Sequence, residues 1–370
     1  MAAFVKCPPA RIGQRLEEVD TPSLVLDLDA FERNLAAMKR AVDGRKVRVR
    51  PHAKTHKSVD IARRQIADGA IGVCCQKVSE AEALAEGGIA DLLVSNEVVG
   101  APKLERLAAL SKRVKLGVCV DNPENLRQLA ALGCELDVYI EIEVGMGRCG
   151  IAAGEPAVAL AREIARSTKL RFAGLQAYHG RAQHLRTMEE RRSVIASAAE
   201  KVRQTKALLA KEGIACPIVT GAGSGTFMFE VDSGAWDEIQ PGSYVFMDVD
   251  YGKNEWAAPL PRFEHALFVL ATVMSRPKPE AAIVDAGLKA SSVDSGMPGV
   301  WQRAGLTYAK ASDEHGFVSV AAGERVALGE KLLLVPGHCD PTVNLYDQYV
   351  CVRGGKVEAL WPVSARGALY

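Results

Sequence analysis

From residue 29 onward, short apolar runs alternate with longer stretches in which apolar residues return every three or four positions. The runs fall at 47–51, 71–75, 91–94, 115–120, 136–143, 170–178, 217–221 and 238–242. Separated mostly by helix-like stretches, they predict buried strands of a parallel sheet. The stretches between them, at 58–66, 79–86, 101–110, 122–132, 156–166 and 187–211, carry an apolar stripe and predict helices. The last opens with Thr187 and Glu190, the spacing of a capping box. Only 221–237 shows no clear long helix. Eight strands linked mostly by helices over about two hundred residues predict an α/β fold of the (β/α)8 barrel type, with an open doubly wound sheet as the rival.

Beyond residue 255 the period changes. Runs at 266–275, 281–285, 305–309, 316–320, 331–335, 348–352 and 356–360 are joined by turn-rich links such as Arg353-Gly354-Gly355, which predicts a mainly antiparallel β second domain. The barrel is assigned to 29–254 and the second domain to 255–370; residues 23–27 are strand-like as well.

Composition narrows the partners. Of 370 residues 48% are hydrophobic, ample for a large core, and 46 basic against 45 acidic side chains leave a net charge of +1. That balance fits neither a nucleic-acid nor a membrane-surface footprint and favours a small-molecule partner. Lys6, Arg11 and Arg15 interrupt residues 1–18, so no secretory signal is expected, and the apolar run at 266–274 is too short to cross a bilayer. Nine cysteines without a C-x-x-C pair read as free thiols in a reducing cytoplasm.

The candidate chemistry clusters at strand ends. Arg50-Pro51-His52-Ala53-Lys54-Thr55-His56-Lys57 follows the first barrel strand, at the end where barrel enzymes carry catalytic groups. A lysine there can form an imine if neighbouring cations or desolvation lower its pKa; solvated basic residues opening a helix are the plain alternative. Thr220-Gly221-Ala222-Gly223-Ser224-Gly225-Thr226 follows the seventh strand and Gln240-Pro241-Gly242-Ser243-Tyr244 the eighth, where barrels often bind phosphate through converging backbone N–H groups. With the lysine, the two loops suggest a phosphorylated cofactor. Glycines around Arg148 after the fifth strand suggest a guanidinium brought close to a ligand. In the second domain, His338 and Asp340 lie two apart; on extended chain they would face one side and could hold Mn²⁺, Mg²⁺, Zn²⁺ or Co²⁺ with waters.

Taken together these blocks resemble the D-threonine aldolases, within the fold-type III pyridoxal-phosphate enzymes that include alanine racemase and eukaryotic D-serine dehydratase. The likeness runs from Thr21-Pro22-Ser23-Leu24 through Cys74-Cys75-Gln76-Lys77, Ser95-Asn96-Glu97, Gly147-Arg148-Cys149-Gly150 and Tyr178-His179-Gly180 to His338-Cys339-Asp340. The resemblance implies pyridoxal 5'-phosphate on Lys54, Arg148 facing its ring nitrogen and Tyr178 beside it. It implies a phosphate held by Gly223, Ser224, Gly225, Thr226, Gly242, Ser243 and Tyr244, a divalent metal on His338 and Asp340, and His184 near the substrate hydroxyl. It also implies a homodimer and a second domain that includes residues 1–28. The related dehydratases carry His-x-Cys where this chain has His338-x-Asp340; a carboxylate favours harder, exchangeable ions, manganese first. Aldol cleavage of a β-hydroxy-D-amino acid is therefore favoured over water elimination from D-serine or D-3-hydroxyaspartate. A pyridoxal-phosphate carrier and a cofactor-independent barrel enzyme are the remaining rivals.

Overall fold

The structure is a computed structural model that describes residues 8–258 and 260–370, so the reading of the amino terminus falls in part on residues 1–7, outside the described residues. Contacts divide the chain into two compact units: 36–244 with 254–262 and 367–370, and 1–35 with 245–253 and 263–366.

In the first unit eight parallel strands pair in the order Arg48–Val49, Glu238–Ile239, Ile218–Gly221, Leu170–Ala177, Leu136–Glu143, Lys115–Val120, Asp91–Glu97 and Val73–Cys75. The two ends of this series meet. His52 bridges Cys74 in parallel, the Cys74 N–H donates to the Pro51 carbonyl at 2.9 Å, and the Ala53 N–H donates to the Cys74 carbonyl at 2.7 Å. The sheet is thus closed as a barrel, and the open-sheet rival falls. Ile151–Ala152 is a short extra strand beside Leu136–Glu143.

Alternation along the strands explains the core. Val73, Cys75, Leu92, Val94, Val118, Val138, Ile140 and Leu175 pack in one large cluster with helix residues such as Leu84, Leu107, Leu129 and Ile164. Cys74, Leu93, Cys119 and Tyr139 form a separate cluster on the opposite face. That inner face also carries charge: the Arg50 guanidinium bonds Glu238 at 2.8 Å and Asp91 at 2.5 Å, and Thr220 donates to the same Glu238 oxygen at 2.9 Å. At Gly174 (φ +141°) a Cβ would stand 1.8 Å from the Ile218 carbonyl oxygen, so the close approach of neighbouring strands admits only glycine.

The amphipathic stretches fold as helices Val59–Ala67, Val78–Glu86, Ala101–Leu110, Pro123–Ala131, Glu155–Ala165 and Met188–Lys211. The capping box forms, with the Thr187 N–H donating to the Glu190 carboxylate at 3.1 Å and the Glu190 N–H to the Thr187 hydroxyl at 3.2 Å. The weak segment after residue 221 holds one short helix, Phe227–Ser233.

The second unit is a nine-stranded sheet. Its main path runs Leu306–Ala311, Gly316–Val320, Ala281–Val284, Leu267–Lys278, Ser23–Asp27, Gln348–Arg353, Lys356–Pro362. Lys331–Val335 also pairs with Leu267–Lys278, and Gly299–Val300, a strand absent from the sequence pattern, pairs with Lys331–Val335. All its pairings are antiparallel except Ser23–Asp27 with Gln348–Arg353. The compact units do not divide at residues 28 and 254. Residues 245–253 belong with the β sheet because the Val249 and Asp250 N–H groups donate to the Pro336 and Gly337 carbonyls, and Ala266 N–H to Phe246. Among the described residues, eight cysteines are free and no helix is long and apolar enough to cross a membrane.

Candidate active site

Lys54 does not extend a strand. The strand predicted over 47–51 is only Arg48–Val49, because Pro51 has no N–H for the ladder; the chain then turns, with the Lys57 N–H donating to the Ala53 carbonyl at 2.7 Å. The turn is buried rather than solvated: His52, Ala53, Thr55, His56 and Lys57 are all inaccessible, while Lys54 is half-buried. Lys57 is paired with Glu80 at 3.2 Å, and His52 Nε2 lies 3.0 Å from the Gln76 amide and 3.2 Å from the Ser95 hydroxyl. The lysine therefore stands on a platform in which Gln76 and Ser95 engage His52, and Glu80 engages Lys57. Such a platform fixes the turn that carries the amine.

The two glycine loops meet beside this turn. The His52 N–H donates to the Pro241 carbonyl at 3.1 Å, and a Cβ on Gly242 would stand 2.4 Å from the Thr55 hydroxyl. The Tyr244 N–H donates to the Ser224 hydroxyl at 2.9 Å, tying the second loop to the first. Ala222 takes φ +66°, a backbone state in which an alanine is strained and which is held here by its surroundings. Among the described residues no hydrogen bond takes up the backbone N–H of Gly223, Ser224, Gly242 or Ser243, so four donors are left in one place. Such a cradle fits a phosphate. The other three residues expected to hold it direct their groups elsewhere. The Gly225 N–H donates to Gln183 at 2.9 Å and the Thr226 hydroxyl to Glu230 at 2.8 Å. The Tyr244 hydroxyl accepts from Gln65 at 3.2 Å.

Arg148 and Tyr178 are brought together. The Arg148 guanidinium carbon lies 5.9 Å from the centre of the Tyr178 ring, and its Nη2 is 4.0 Å from the Glu141 carboxylate. The loop before it is shaped by Glu143, whose carboxylate accepts the N–H groups of Gly145 and Gly147. Burial, reinforced by the neighbouring Glu97 carboxylate, pushes the Glu141 carboxyl up to about 8, and Arg148 opposes the rise. Sequence reading gave none of Glu97, Glu141 and Glu143 a role, since isolated acidic residues at strand ends carry no pattern.

His184 ends the 3-10 turn Gly180–His184, which begins shortly after the strand Leu170–Ala177, and is exposed. The preceding residue, Gln183, is fully buried.

The His338–Asp340 pair lies in the β-rich unit, but not on extended chain. The strand ends at Val335; His338 caps a short helix, Cys339–Val343, and Asp340 stands in its first turn. Pro341 is tolerated there, and the Cys339 N–H is capped by Asp248 at 3.0 Å. The segment 247–252 thus anchors the loop. Cys339 is buried, while His338 and Asp340 are half-buried. His338 Nδ1 is 2.8 Å from an Asp294 carboxylate oxygen, which places its proton on Nδ1 and leaves the Nε2 lone pair for a metal. Among the described residues no group of three or more His, Cys, Asp or Glu side chains is arranged around one point. One imidazole and one carboxylate fit a divalent ion that keeps several waters.

Residues 26–250 match the family of the alanine racemase N-terminal domain, and 266–352 match the serine dehydratase domain family. The chain is 51% identical to a D-threonine aldolase of Arthrobacter sp., over 97% of this chain and 96% of that one. It is 48% identical to a 3-hydroxy-D-aspartate aldolase of Paracoccus denitrificans, over 98% and 96%. A D-threo-3-hydroxyaspartate dehydratase of Delftia sp. is more distant, at 29% identity over 90% and 93%. The crystal structure of D-threonine aldolase from Filomicrobium marinum superposes with a TM-score of 0.96 at 50% identity, over 98% of this chain and all of that one. With both domain families matched in order and relatives near half-identical along its length, the chain belongs to the alanine racemase-type family, in the branch formed by these aldolases.

Proposed function

We propose that this protein is a pyridoxal 5'-phosphate- and divalent-metal-dependent lyase that reversibly cleaves D-threonine and related β-hydroxy-D-amino acids to glycine and an aldehyde. The observation that carries the reading is the meeting of three sequence-distant pieces, the Lys54 turn and the two glycine loops, around four unengaged backbone N–H groups.

When bound, the cofactor supplies an electron sink for the breaking Cα–Cβ bond and the metal supplies positive charge at oxygen. Lys54 provides the amine that holds the cofactor aldehyde, and Gly223, Ser224, Gly242 and Ser243 hold its phosphate. Tyr178 would lie beside the ring. Arg148, a group that gives up no proton at any working pH, would stand at the ring nitrogen and disfavour its protonation. His184, on an exposed turn, takes the proton from the substrate β-hydroxyl. His338 Nε2 and Asp340 are the metal ligands, with manganese the ion their chemistry suits best. A homodimer in the cytoplasm, acting on a free amino acid, completes the reading.

The test is incubation of the purified protein with D- and L-threonine, with and without Mn²⁺, followed by assay of acetaldehyde and glycine. Acetaldehyde from the D isomer alone, raised by the metal and lost in Asp340→Ala, is the expected result. Ammonia and a keto acid in place of glycine would make it a dehydratase. A colourless protein that borohydride does not modify at Lys54 would refute the cofactor.

A further inference from the structure

We propose that Gln183 is a positioning residue that couples the cofactor-phosphate loop to the turn carrying His184; the inference rests on the cofactor reading above. The Gln183 side chain is fully buried and bonded at both ends. Its Oε1 accepts the Gly225 N–H at 2.9 Å, and its Nε2 donates to the Thr226 hydroxyl at 2.8 Å and to the His179 carbonyl at 3.3 Å. The Thr226 hydroxyl passes its own proton to Glu230 at 2.8 Å, so a directed chain runs from Gln183 through Thr226 to a carboxyl in the base of the loop. Gly223 is glycine for the same reason: a Cβ there would stand 2.6 Å from Gln183 Oε1.

The backbone of Gln183 is fastened from the other side. Its carbonyl accepts from the Asn254 amide at 2.8 Å, and the Asn254 carbonyl accepts from Arg186 at 2.7 Å. Residues 183–186 are therefore clamped between Asn254 and the glycine loop, with His184 inside the clamp. A bound phosphate orders Gly223–Thr226, and the buried bonds of Gln183 and Thr226 transmit that order, because either side chain, if it moved, would leave a desolvated partner unpaired. Occupation of the phosphate cradle and placement of the catalytic imidazole are then one event.

Glu230 suits this role. Its carboxyl is buried without a countercharge, and burial pushes it up to about 8, with the Thr226 hydrogen bond opposing the rise. A neutral acid can sit beneath the loop without repelling a phosphate dianion.

The experiment measures two things in the full chain: the affinity for pyridoxal 5'-phosphate by visible absorbance, and amide hydrogen exchange across 180–187 with and without it. In the native protein, cofactor slows exchange in that segment. In Gln183→Leu, affinity falls about 10- to 100-fold, as for other outer partners of a bound group, and cofactor at saturation no longer slows exchange there. The double change Gln183→Glu with Glu230→Gln reverses donor and acceptor along the link through Thr226 while the His179 carbonyl loses its donor, and restores part of the coupled protection. Should Gln183→Leu not fold, Thr226→Val breaks the same chain one link further on and is read identically. A Gln183→Leu protein with native affinity, or with cofactor protection of 180–187 equal to the native, overturns the coupling alone. A native protein that takes up no pyridoxal phosphate overturns the cofactor reading, and the coupling with it.

Discussion

Ser224 and Tyr244 stand twenty residues apart in sequence and are joined in space, the tyrosine N–H donating to the serine hydroxyl at 2.9 Å. With the Gln240 N–H donating to the Gly221 carbonyl at 2.7 Å, that bond makes one cradle of two loops that follow different strands. Ser224→Ala leaves the buried Tyr244 N–H without its acceptor, a loss of about 1–3 kcal/mol of local order. We expect pyridoxal phosphate affinity to fall roughly tenfold or more, since about 1.4 kcal/mol is tenfold in binding. A titration of cofactor into the apoprotein by absorbance checks it; unchanged affinity would show that the loops are held by other contacts.

The bond between His338 Nδ1 and Asp294 at 2.8 Å fixes which ring nitrogen is free. Asp294→Ala releases the ring, so Mn²⁺ affinity should drop about 10- to 100-fold, as outer-shell partners of metal-bound histidines usually show. Calorimetric titration of Mn²⁺ into the metal-stripped enzyme is the measurement. Asp340→Ala, which removes a proposed direct ligand, should lower the affinity further than Asp294→Ala does; the reverse order would make Asp294 the ligand.

Glu230 gives a signed pH dependence. Its folded carboxyl titrates near 8 against a usual 4.5, so between those values the folded state holds a proton that the unfolded chain has lost. Its contribution to stability is therefore full below about pH 4.5 and declines as pH rises toward 8. Glu230→Gln mimics the protonated acid and keeps an acceptor for Thr226. The Tm of the variant relative to the native protein should rise steadily from pH 5 to pH 8.5. A constant difference across that range would mean Glu230 is not protonated in the fold.

Arg50 joins Glu238 and Asp91 inside the barrel, and both its own side chain and that of Glu238 are buried. Arg50→Met would fill much of the volume but strand the Glu238 charge, a destabilisation of about 3–5 kcal/mol. A fall in the urea midpoint with an unchanged slope is the expected readout. Replacing Arg50 and Glu238 together by apolar residues should recover much of the loss.

Much of the architecture was legible because its signals are local. Leucines three residues apart in 101–110 and 123–131 mark helices with one apolar face, and the runs at 115–120 and 136–143 fit inner strands buried on both sides. The strand Gly299–Val300 escaped because two residues have no period. The extended geometry expected at His338–Asp340 failed for a different reason. The cap on the Cys339 N–H comes from Asp248, ninety-one residues earlier in the chain, and such a partner leaves no mark in the local pattern.

The sequence by itself determined the alternation of strand and helix, the change to β texture past residue 255, and the residue types able to hold an amine-linked cofactor and an ion. Tertiary structure decided that the sheet closes, through His52 and Cys74, and that the lysine turn and both glycine loops share one cradle. It also decided that Gln183, an unremarked amide in a five-residue turn, underlies the first of those loops. The reason is the range of the forces. Periodicity reports how each segment meets water, whereas pairing among buried polar groups depends on which distant atoms the fold brings within about 3 Å of one another.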